Sequence, residues 1–406
     1  MDILPHKQEL NNRPSIAGAE FVSLSLDIPE ADFDHPGMSL SSLAQCVDVL
    51  RCPVTRQSLS LLSAGEIAAL NKDLAAGGRV PRDGSSSRTP LADALGTPDR
   101  AYIYRVADAV AWLMPNLALV RSSDSAACSL VPEKETVKAF YDDYGWVKKP
   151  DEVFNDTAEF TEARPIAQAY LQHCNARIGK LLGSGRFVLD AASGAIPHRE
   201  YLTYSTNYQV RICVDLSIRA LNEARAKLGA RGLYLLGDIT RLPLADGVVD
   251  SVISLHTIYH IPKNEQTTAV DELVRVTRPG GRVIIVYVWG RSLAMDAVFR
   301  LRGWLGFIRR LGRPPSIATA IQSGAAKPPP LYFHPLNHDW FAGDVAARHA
   351  ARLRVWSAVS KAFQTRFVSD GPAGRLLIAA VELLEDALPG LAGRIGQYPM
   401  FVIDKP

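Results

Sequence analysis

The stretch R-F-V-L-D-A-A-S-G, residues 186–194, decides the fold. Three apolar residues lead to Asp190, and small residues alone follow it. This pattern is typical of a buried strand that ends abruptly in a tight loop. Ligands of open α/β sheets bind beyond the carboxyl ends of such strands, and small side chains let the backbone approach a ligand closely. We therefore expect this loop to form the floor of a cofactor pocket.

Strands and helices alternate in the hundred or so residues that follow the loop. The pattern predicts strands at 187–189, 209–214, 233–236, 249–254 and 283–288, and helices at 217–228 and 265–276. Ser217 is the expected N-cap of the first helix, and Gly229 ends it. Strands and helices that alternate at this spacing indicate an α/β fold with a doubly wound, parallel sheet.

Three acidic residues stand at the ends of successive predicted strands: Asp190, Asp215 and Asp238. Parallel strands bring their carboxyl ends to one rim of the sheet, so these carboxylates are expected to lie near each other. An acid after the second strand is well placed to accept hydrogen bonds from a ribose, and one after the third strand can reach an adenine amino group. The pattern favours a nucleoside cofactor without selecting which one.

Five successive motifs within residues 187–289 resemble those of class I S-adenosylmethionine-dependent methyltransferases. They read V-L-D-A-A-S-G, C-V-D-L-S, G-D-I-T-R-L-P-L, D-S-V-I-S-L-H-T-I-Y-H-I-P and R-P-G-G-R-V-I-I-V. The resemblance implies a Rossmann-like sheet of seven strands, whose last, antiparallel strand residues 398–403 would supply. It also implies S-adenosyl-L-methionine as the cofactor and S-adenosyl-L-homocysteine as its product.

Carried onto this sequence, the resemblance implies a set of cofactor-binding residues. They are Asp190, Ala192, Ser193, Gly194, Asp215, Leu216, Asp238, Ile239 and His256. Tyr141 and Tyr144 join them from the aromatic stretch at 137–146, which is either a lid or a linker anchored in the core. The loop itself departs from the usual G-x-G-x-G, because Ala192 and Ile196 replace two of its glycines. Either the loop follows a different path, or it admits an extra polar group from residues 198–200.

Methyl transfer is an in-line displacement that depends mainly on alignment, and oxygen acceptors also benefit from a base. His256 and His260 follow the fourth strand and are the candidate catalytic residues, although the I-Y-H-I-P piece also suits a structural turn. His334, His338 and Trp304, from the segment after the fifth strand, are candidate substrate residues. The helix expected at 292–311 has one apolar face and arginines opposite, which fits a cap over an apolar pocket or an interfacial helix.

The region before the core resembles the small zinc-ribbon-like activator domain that accompanies some bacterial methyltransferases. The matching pieces are L-R-C-P-V-T and Y-R-V-A-D-A-V-A-W-L-M. Cys52 lacks the partner cysteines that tetrahedral zinc needs, so no metal is expected. The predicted divisions are an irregular arm at 1–44, a small α+β domain at 45–135, the cofactor-binding core with its lid at 136–290, a helical cap insertion at 291–352 and the end of the core at 353–406.

Composition narrows the class of protein. A chain of 406 residues with a net charge of +3 predicts several domains and gives no reason to expect a nucleic-acid partner. Five scattered cysteines, with no signal-peptide pattern, favour a cytoplasmic protein, either fully soluble or peripheral to the membrane. The predicted function is O-methylation of a partly apolar small molecule: a secondary metabolite, a glycan or a lipid. The alternatives are a different reaction on a natural product by a cofactor-bound protein, and a non-catalytic binding module.

Overall fold

The computed structural model describes residues 41–85, 87–125, 127–310 and 329–406, apart from the side chains of 41, 42 and 302–310. Most of the predicted arm at 1–44 lies outside these residues. The centre of the predicted cap insertion and the side chain of Trp304 also lie outside them.

The elements within the described residues follow the predicted order. The strands are β1 (Ser60–Leu61), β2 (Arg79–Pro81), β3 (Asp93–Gly96), β4 (Ile103–Ala107), β5 (Val110–Trp112), β6 (Leu119–Arg121), β7 (Gly185–Ala191), β8 (Tyr208–Asp215), β9 (Gly232–Leu236), β10 (Val249–Leu255), β11 (Thr277–Val286), β12 (Ala351–Ser357) and β13 (Tyr398–Asp404). The helices are α1 (Ser41–Cys46), α2 (Ala64–Ala75), α3 (Pro132–Phe140), α4 (Asn155–Phe160), α5 (Pro165–Gly179), α6 (Ile218–Leu228), α7 (Gln266–Val276), α8 (Leu293–Arg310), α9 (His338–Trp340), α10 (Lys361–Phe367), α11 (Pro372–Ala387) and α12 (Pro389–Ile395). Two π-helical turns, Tyr141–Gly145 and Phe341–Ala346, extend α3 and α9.

A single mixed sheet runs through the molecule. Its order is β1-β3-β4-β5-β9-β8-β7-β10-β11-β13-β12, and β5 to β11 along this path pair in parallel. β7 lies at the centre of the parallel part, where Asp190 is paired with Cys213 on one side and Ile253 on the other. β13 runs antiparallel to both of its neighbours, β11 and β12. The predicted α/β fold with a large central sheet is confirmed.

The sheet is 13-stranded, which is larger than the seven strands predicted. The difference arises at the β9 edge, where β5 adds in parallel with Val110 opposite Tyr234 and Trp112 opposite Leu236. β5 then continues antiparallel into β4, β3 and β1. An edge strand presents unpaired backbone groups, and the segment before the core satisfies those of β9. The segment is therefore part of the same sheet.

Apolar side chains fill both faces of the parallel strands. Successive residues alternate between two core clusters, with Ile212 and Val252 in one and Cys213 and Ile253 in the other. This alternation follows from the period of two in a strand, and burial on both faces explains the continuous apolar runs in the sequence. The rigid layer thus formed positions the strand ends.

The region that resembles a zinc-ribbon-like domain buries Cys52 inside the core. The Cys52 thiol is 3.1 Å from the hydroxyl of Tyr104, and both residues are fully buried. Among the described residues, no group of three or more His, Cys, Asp or Glu side chains is arranged to hold a metal ion. The likeness of this region to an activator domain, and the divisions between the predicted domains, remain predictions.

Helix α8 follows the core sheet, as expected from its apolar periodicity. Val298 and Phe299 pack against the second core cluster, whereas Leu301 is exposed. None of the described helices is both long and apolar enough to cross a membrane. Whether α8 serves as a cap or contacts a membrane surface remains a prediction.

Gly281, the second glycine of the R-P-G-G motif, provides a test of how closely β11 packs against β10. A Cβ at Gly281 would lie 2.7 Å from the backbone oxygen of Asp250 and 2.9 Å from that of Arg278. Backbone atoms cannot move aside cheaply, so Gly281→Ala is expected to lower the free energy of unfolding by about 1–3 kcal/mol in urea titrations. Gly65→Ala is the control, because no atom lies within 4 Å of its added methyl group. Equal stability of the two variants would contradict the packing of β10 against β11.

Candidate functional site

A cavity of about 580 Å³ opens at the carboxyl ends of the parallel strands. Most of the predicted site residues line it: Tyr141, Asp190, Ala192, Ser193, Gly194, Asp215, Leu216, Asp238, Ile239, His256 and His260. Tyr144, His334 and His338 are not among the lining residues. The topology explains the convergence, since β7, β8, β9 and β10 are parallel neighbours whose ends meet at one rim.

The loop after β7 takes an unusual path. Ala192, Gly194 and Ile196 have φ values of 59°, 55° and 51°, in the left-handed region that favours glycine. These are the three positions at which the G-x-G-x-G pattern has glycine. The chain therefore adopts a glycine-type conformation with two side chains in place, and a β-branched residue such as Ile196 is strained there.

Several hydrogen bonds hold this strained loop. The N–H of Gly194 donates to Oδ2 of Asp215 at 2.9 Å, and the N–H of Ala192 donates to the Val214 carbonyl at 2.7 Å. From α6, the Lys227 ammonium donates to the carbonyls of Ala195 at 2.7 Å and Ile196 at 2.8 Å. The surrounding structure thus fixes the loop from both sides, as strained functional backbone requires.

Gly194 is the loop position where no side chain fits. A Cβ there would lie 2.5 Å from Cζ2 of Trp146. The Trp146 ring stacks on Tyr141 with 5.2 Å between centroids. The aromatic stretch at 137–146 therefore contacts the loop through Trp146, and its role as a lid remains a prediction.

Asp190 carries a buried ion pair. Arg211 reaches its Oδ2 at 2.5 Å through Nη2 and at 3.1 Å through Nε. Arg211 also donates to the carbonyl of Tyr201 at 2.5 Å. No described residue hydrogen-bonds Oδ1 of Asp190, and this oxygen keeps its capacity to accept.

Asp215 is held by backbone amides. Its Oδ1 accepts from the N–H of Ser217 at 2.8 Å, in addition to the bond from Gly194. Burial raises the pKa of Asp215 to about 6, against the opposing effect of these two N–H groups. The carboxylate is therefore charged at neutral pH, and each oxygen has a second lone pair for a ligand.

Asp238 is paired with a lysine that sequence reasoning missed. Its Oδ1 accepts from the N–H of Thr240 at 2.9 Å, and its Oδ2 accepts from Lys134 at 2.6 Å. Lys134, on α3, also bonds the hydroxyl of Thr240 and pairs with Glu265. A single lysine in a charged helix carries no sequence signal of burial, because the contact joins residues more than a hundred positions apart.

His256 lies among aromatic rings at the end of β10. Its ring is edge-on to Trp356, with 4.5 Å between centroids, and 5.6 Å from Tyr398. Burial lowers the pKa of His256 to about 3, with smaller contributions from His198 and His260. The imidazole is neutral at pH 7 and is a weak base.

His260 is fixed by a backbone contact. Its Nδ1 is 2.7 Å from the carbonyl oxygen of Tyr332, which can only accept, so Nδ1 carries the proton and Nε2 the lone pair. Burial lowers the pKa of His260 to about 4, although the Tyr332 carbonyl opposes the shift. As a base, His260 is therefore little stronger than His256.

Neither of the two other predicted histidines, His334 and His338, lines the cavity. The N–H of His334 donates to the Tyr259 carbonyl at 2.8 Å, and its own carbonyl accepts from Gln266 at 2.8 Å. The ring of His338 packs near Trp289 at 6.1 Å between centroids. These contacts hold the segment that brings Phe333 to the cavity. Their role in acceptor binding remains a prediction.

The lining of the cavity is mainly apolar. Residues that sequence reasoning did not select line it: Asp156, Phe160, Tyr170, Tyr201, Trp356 and Tyr398. They come from α4, α5, β12, β13 and a short 3-10 helix at Arg199–Ser205. Because these elements are far apart in the sequence, only the fold reveals their convergence.

Comparisons with known proteins find matches to part of the chain. Residues 189–285 match a family model described as a methyltransferase domain. The matched part of the chain begins within β7 and ends within β11. It contains the strained loop and the three strand-end acids.

Curated relatives match part of the chain. A demethylmenaquinone methyltransferase of Mycobacterium bovis is 35% identical over 104 residues, which is 26% of this chain and 42% of that protein. The chain thus spans less than half the length of this relative. Among solved structures, phosphoethanolamine N-methyltransferase 1 of Haemonchus contortus has a TM-score of 0.40 at 12% identity, covering 67% of this chain and 49% of its own. Geranyl diphosphate C-methyltransferase of Streptomyces coelicolor has a TM-score of 0.39 at 11% identity, and the match covers 68% of this chain and 98% of that protein.

Replacement of the two adjacent alanines tests the strain in the loop. Ala191 is buried at the end of β7, so Ala191→Gly is expected to lower the free energy of unfolding by roughly 1–2 kcal/mol. Ala192→Gly relieves a left-handed alanine, which offsets the entropy cost of glycine, so no loss is expected. Urea unfolding of both variants measures the difference. A loss at Ala192→Gly as large as that at Ala191→Gly would contradict the left-handed conformation.

Proposed function

We propose that this protein is an S-adenosylmethionine-dependent methyltransferase that acts on a small, partly apolar acceptor. The observation that carries the proposal is the meeting of three features in one cavity. They are the left-handed loop at Ala192–Ile196, the charged Asp215 carboxylate and the Asp238 carboxylate. Backbone N–H groups and carboxylates at the strand ends are the groups that a nucleoside cofactor needs.

The cavity suits the proposed cofactor. Asp215 would hold the ribose hydroxyls, Asp238 and Ile239 would frame the adenine, and the loop would underlie the methionine part. When bound, the cofactor supplies an activated methyl group on a positively charged sulfur. The neutral His256 and the rings of Trp356 and Tyr398 add no positive charge beside it, and aromatic faces attract cations. The pairing of Asp238 with Lys134 leaves Oδ2 partly occupied, so adenine recognition would depend on the remaining lone pairs.

The acceptor would occupy the part of the cavity that aromatic side chains line. The lining of Phe160, Tyr170, Tyr201 and Trp356 favours a molecule with a substantial apolar body. We retain oxygen as the proposed acceptor atom, and a secondary metabolite, a glycan or a lipid as its class. A cytoplasmic location, with contact to a membrane surface through α8, belongs to the same proposal.

Ligand binding tests the cofactor assignment. S-adenosylhomocysteine is expected to bind in isothermal titration calorimetry, and Asp215→Ala is expected to weaken binding by about 1–3 kcal/mol through the lost ribose hydrogen bonds. Glu159→Gln, an exposed acid on α4, is the matched control. If neither S-adenosylmethionine nor S-adenosylhomocysteine binds, the protein is instead a binding module with a methyltransferase fold. Binding without consumption of S-adenosylmethionine would favour a different reaction on a bound natural product.

The raised pKa of Asp215 predicts how binding depends on pH. The ionised carboxylate is the better acceptor for ribose hydroxyls, and it is lost as the pH falls through the folded-state pKa of about 6. The affinity for S-adenosylhomocysteine is therefore expected to be constant above this pH and to fall by up to about tenfold per pH unit below it. Asp215→Asn, which keeps an acceptor oxygen but does not titrate, is expected to flatten this fall. A wild-type affinity that is unchanged down to pH 5 would contradict the role of Asp215.

A further inference from the structure

Asp156 differs from the other carboxylates that line the cavity. Asp190 is paired with Arg211, Asp238 with Lys134 and Glu162 with Arg164, and Asp215 accepts two backbone N–H groups. Within the described residues, the carboxyl group of Asp156 has neither a hydrogen bond nor an ion pair. A half-buried carboxyl group among aromatic rings, without a partner, is costly unless a ligand uses it.

Asp156 lines the same cavity as the loop after β7, Asp215 and the aromatic side chains. Three tyrosines on different elements line it too. Tyr141 belongs to the aromatic stretch at 137–146, Tyr201 belongs to the 3-10 helix at Arg199–Ser205, and Tyr259 follows β10. Burial raises the pKa of all three phenols, and the charge of Asp156 raises it further in each case. Asp156 therefore lies in the cavity that is proposed to hold both the cofactor and the acceptor.

Nearby charges leave the Asp156 carboxyl group uncompensated. Lys361, on α10, donates to the carbonyls of Ala158 at 3.2 Å and Glu159 at 2.7 Å. Burial raises the pKa of Asp156 to about 7, and the negative charge of Glu159 adds to the shift. A base with a pKa near the operating pH is the best placed to accept a proton, and both histidines of the site are much weaker bases.

We propose that Asp156 is the general base of the reaction and that the acceptor is a neutral molecule whose hydroxyl group projects from an aromatic or apolar body. This inference rests on the proposed methyltransferase function. The acceptor oxygen bonds to the methyl carbon while the bond between that carbon and sulfur breaks, its electron pair remaining on sulfur. The hydroxyl proton moves to the Asp156 carboxylate. The charges of the sulfonium and the carboxylate disappear together, leaving a methyl ether, neutral S-adenosylhomocysteine and a carboxylic acid that returns its proton to solvent.

Proton release on cofactor binding tests the position of Asp156 without any acceptor. A cationic sulfonium beside a half-ionised carboxyl group displaces its proton, whereas neutral S-adenosylhomocysteine does not. Calorimetry at pH 7 in two buffers of different ionisation enthalpy is expected to show that S-adenosylmethionine releases up to about half a proton more than S-adenosylhomocysteine, because this pH equals the pKa of about 7. Asp215 contacts the part common to both ligands, so its contribution cancels in the difference.

Two variants complete this test. Asp156→Asn should abolish the difference in proton release while binding S-adenosylhomocysteine as wild type does, which also shows that it is folded. Glu135→Gln, which removes an exposed acid on α3, should retain the difference. No difference in the wild type, or a difference that survives in Asp156→Asn, overturns the proposal. Failure of both ligands to bind would instead overturn the cofactor assignment.

A chromogenic phenol, 4-nitrophenol, tests the proposed acceptor class. Added to the S-adenosylhomocysteine complex, it should bind as the neutral phenol, because its hydroxyl donates a hydrogen bond to the Asp156 carboxylate and that carboxylate repels the phenolate. The absorbance of the bound phenolate should therefore appear at a higher pH in the wild type than in Asp156→Asn. Where turnover is measured with a hydroxyl acceptor, Asp156→Asn should lower kcat by roughly 10²–10⁴-fold. No binding at millimolar concentration, or equal ionisation in both proteins, would contradict the acceptor class.

Discussion

The hydrogen bond from the Gly194 amide to the Asp215 carboxylate connects the two features on which the site depends. It joins the loop after β7 to the end of β8 at 2.9 Å, inside a buried environment. A charged acceptor strengthens the bond, and the low polarity of the surroundings strengthens it further. Because the same carboxylate is the proposed ribose ligand, the conformation of the loop and the binding of a nucleoside depend on one charge. The raised pKa of Asp215 is the cost of keeping that charge out of water.

Much of the core was predictable from residues 187–289. Strands buried on both faces appear as apolar runs, and the acids that end these runs mark the rim directly. The N-cap at Ser217 was equally readable, because its hydroxyl accepts from the N–H of Ala220 at 3.1 Å. Such features are local, so a few consecutive residues contain the whole signal. The departure from glycine in the loop was visible as well, but its consequence was not. Only the structure shows that Ala192 and Ile196 keep left-handed backbone.

The rest could not be predicted, because it depends on contacts between distant segments. The pairing of β5 with β9 enlarges the sheet beyond seven strands, and nothing in residues 110–112 specifies which edge they will join. Lys134 and Asp156 lie in a charged, irregular region between the small strands and the core, where no periodicity marks a buried residue. Conversely, His334 and His338 were predicted as substrate residues because of their side-chain chemistry, yet neither lines the cavity. Residue type indicates what chemistry a side chain can perform, whereas burial and partners decide whether it does so.

The balance of charge in the cavity links these observations. The proposed sulfonium cofactor would bring one positive charge into a site whose lining is mainly apolar and whose histidines, His256 and His260, are kept neutral by burial. Of the lining carboxylates, Asp190 and Asp238 are already balanced by cations from the chain, and Asp215 by backbone dipoles. An uncompensated Asp156 can therefore balance the ligand without competition from a fixed partner. In the proposed reaction, methyl transfer would remove the positive charge, and protonation of the Asp156 carboxylate would remove the negative one. A low-dielectric cavity favours such a step, because neither the initial nor the final state contains an isolated charge.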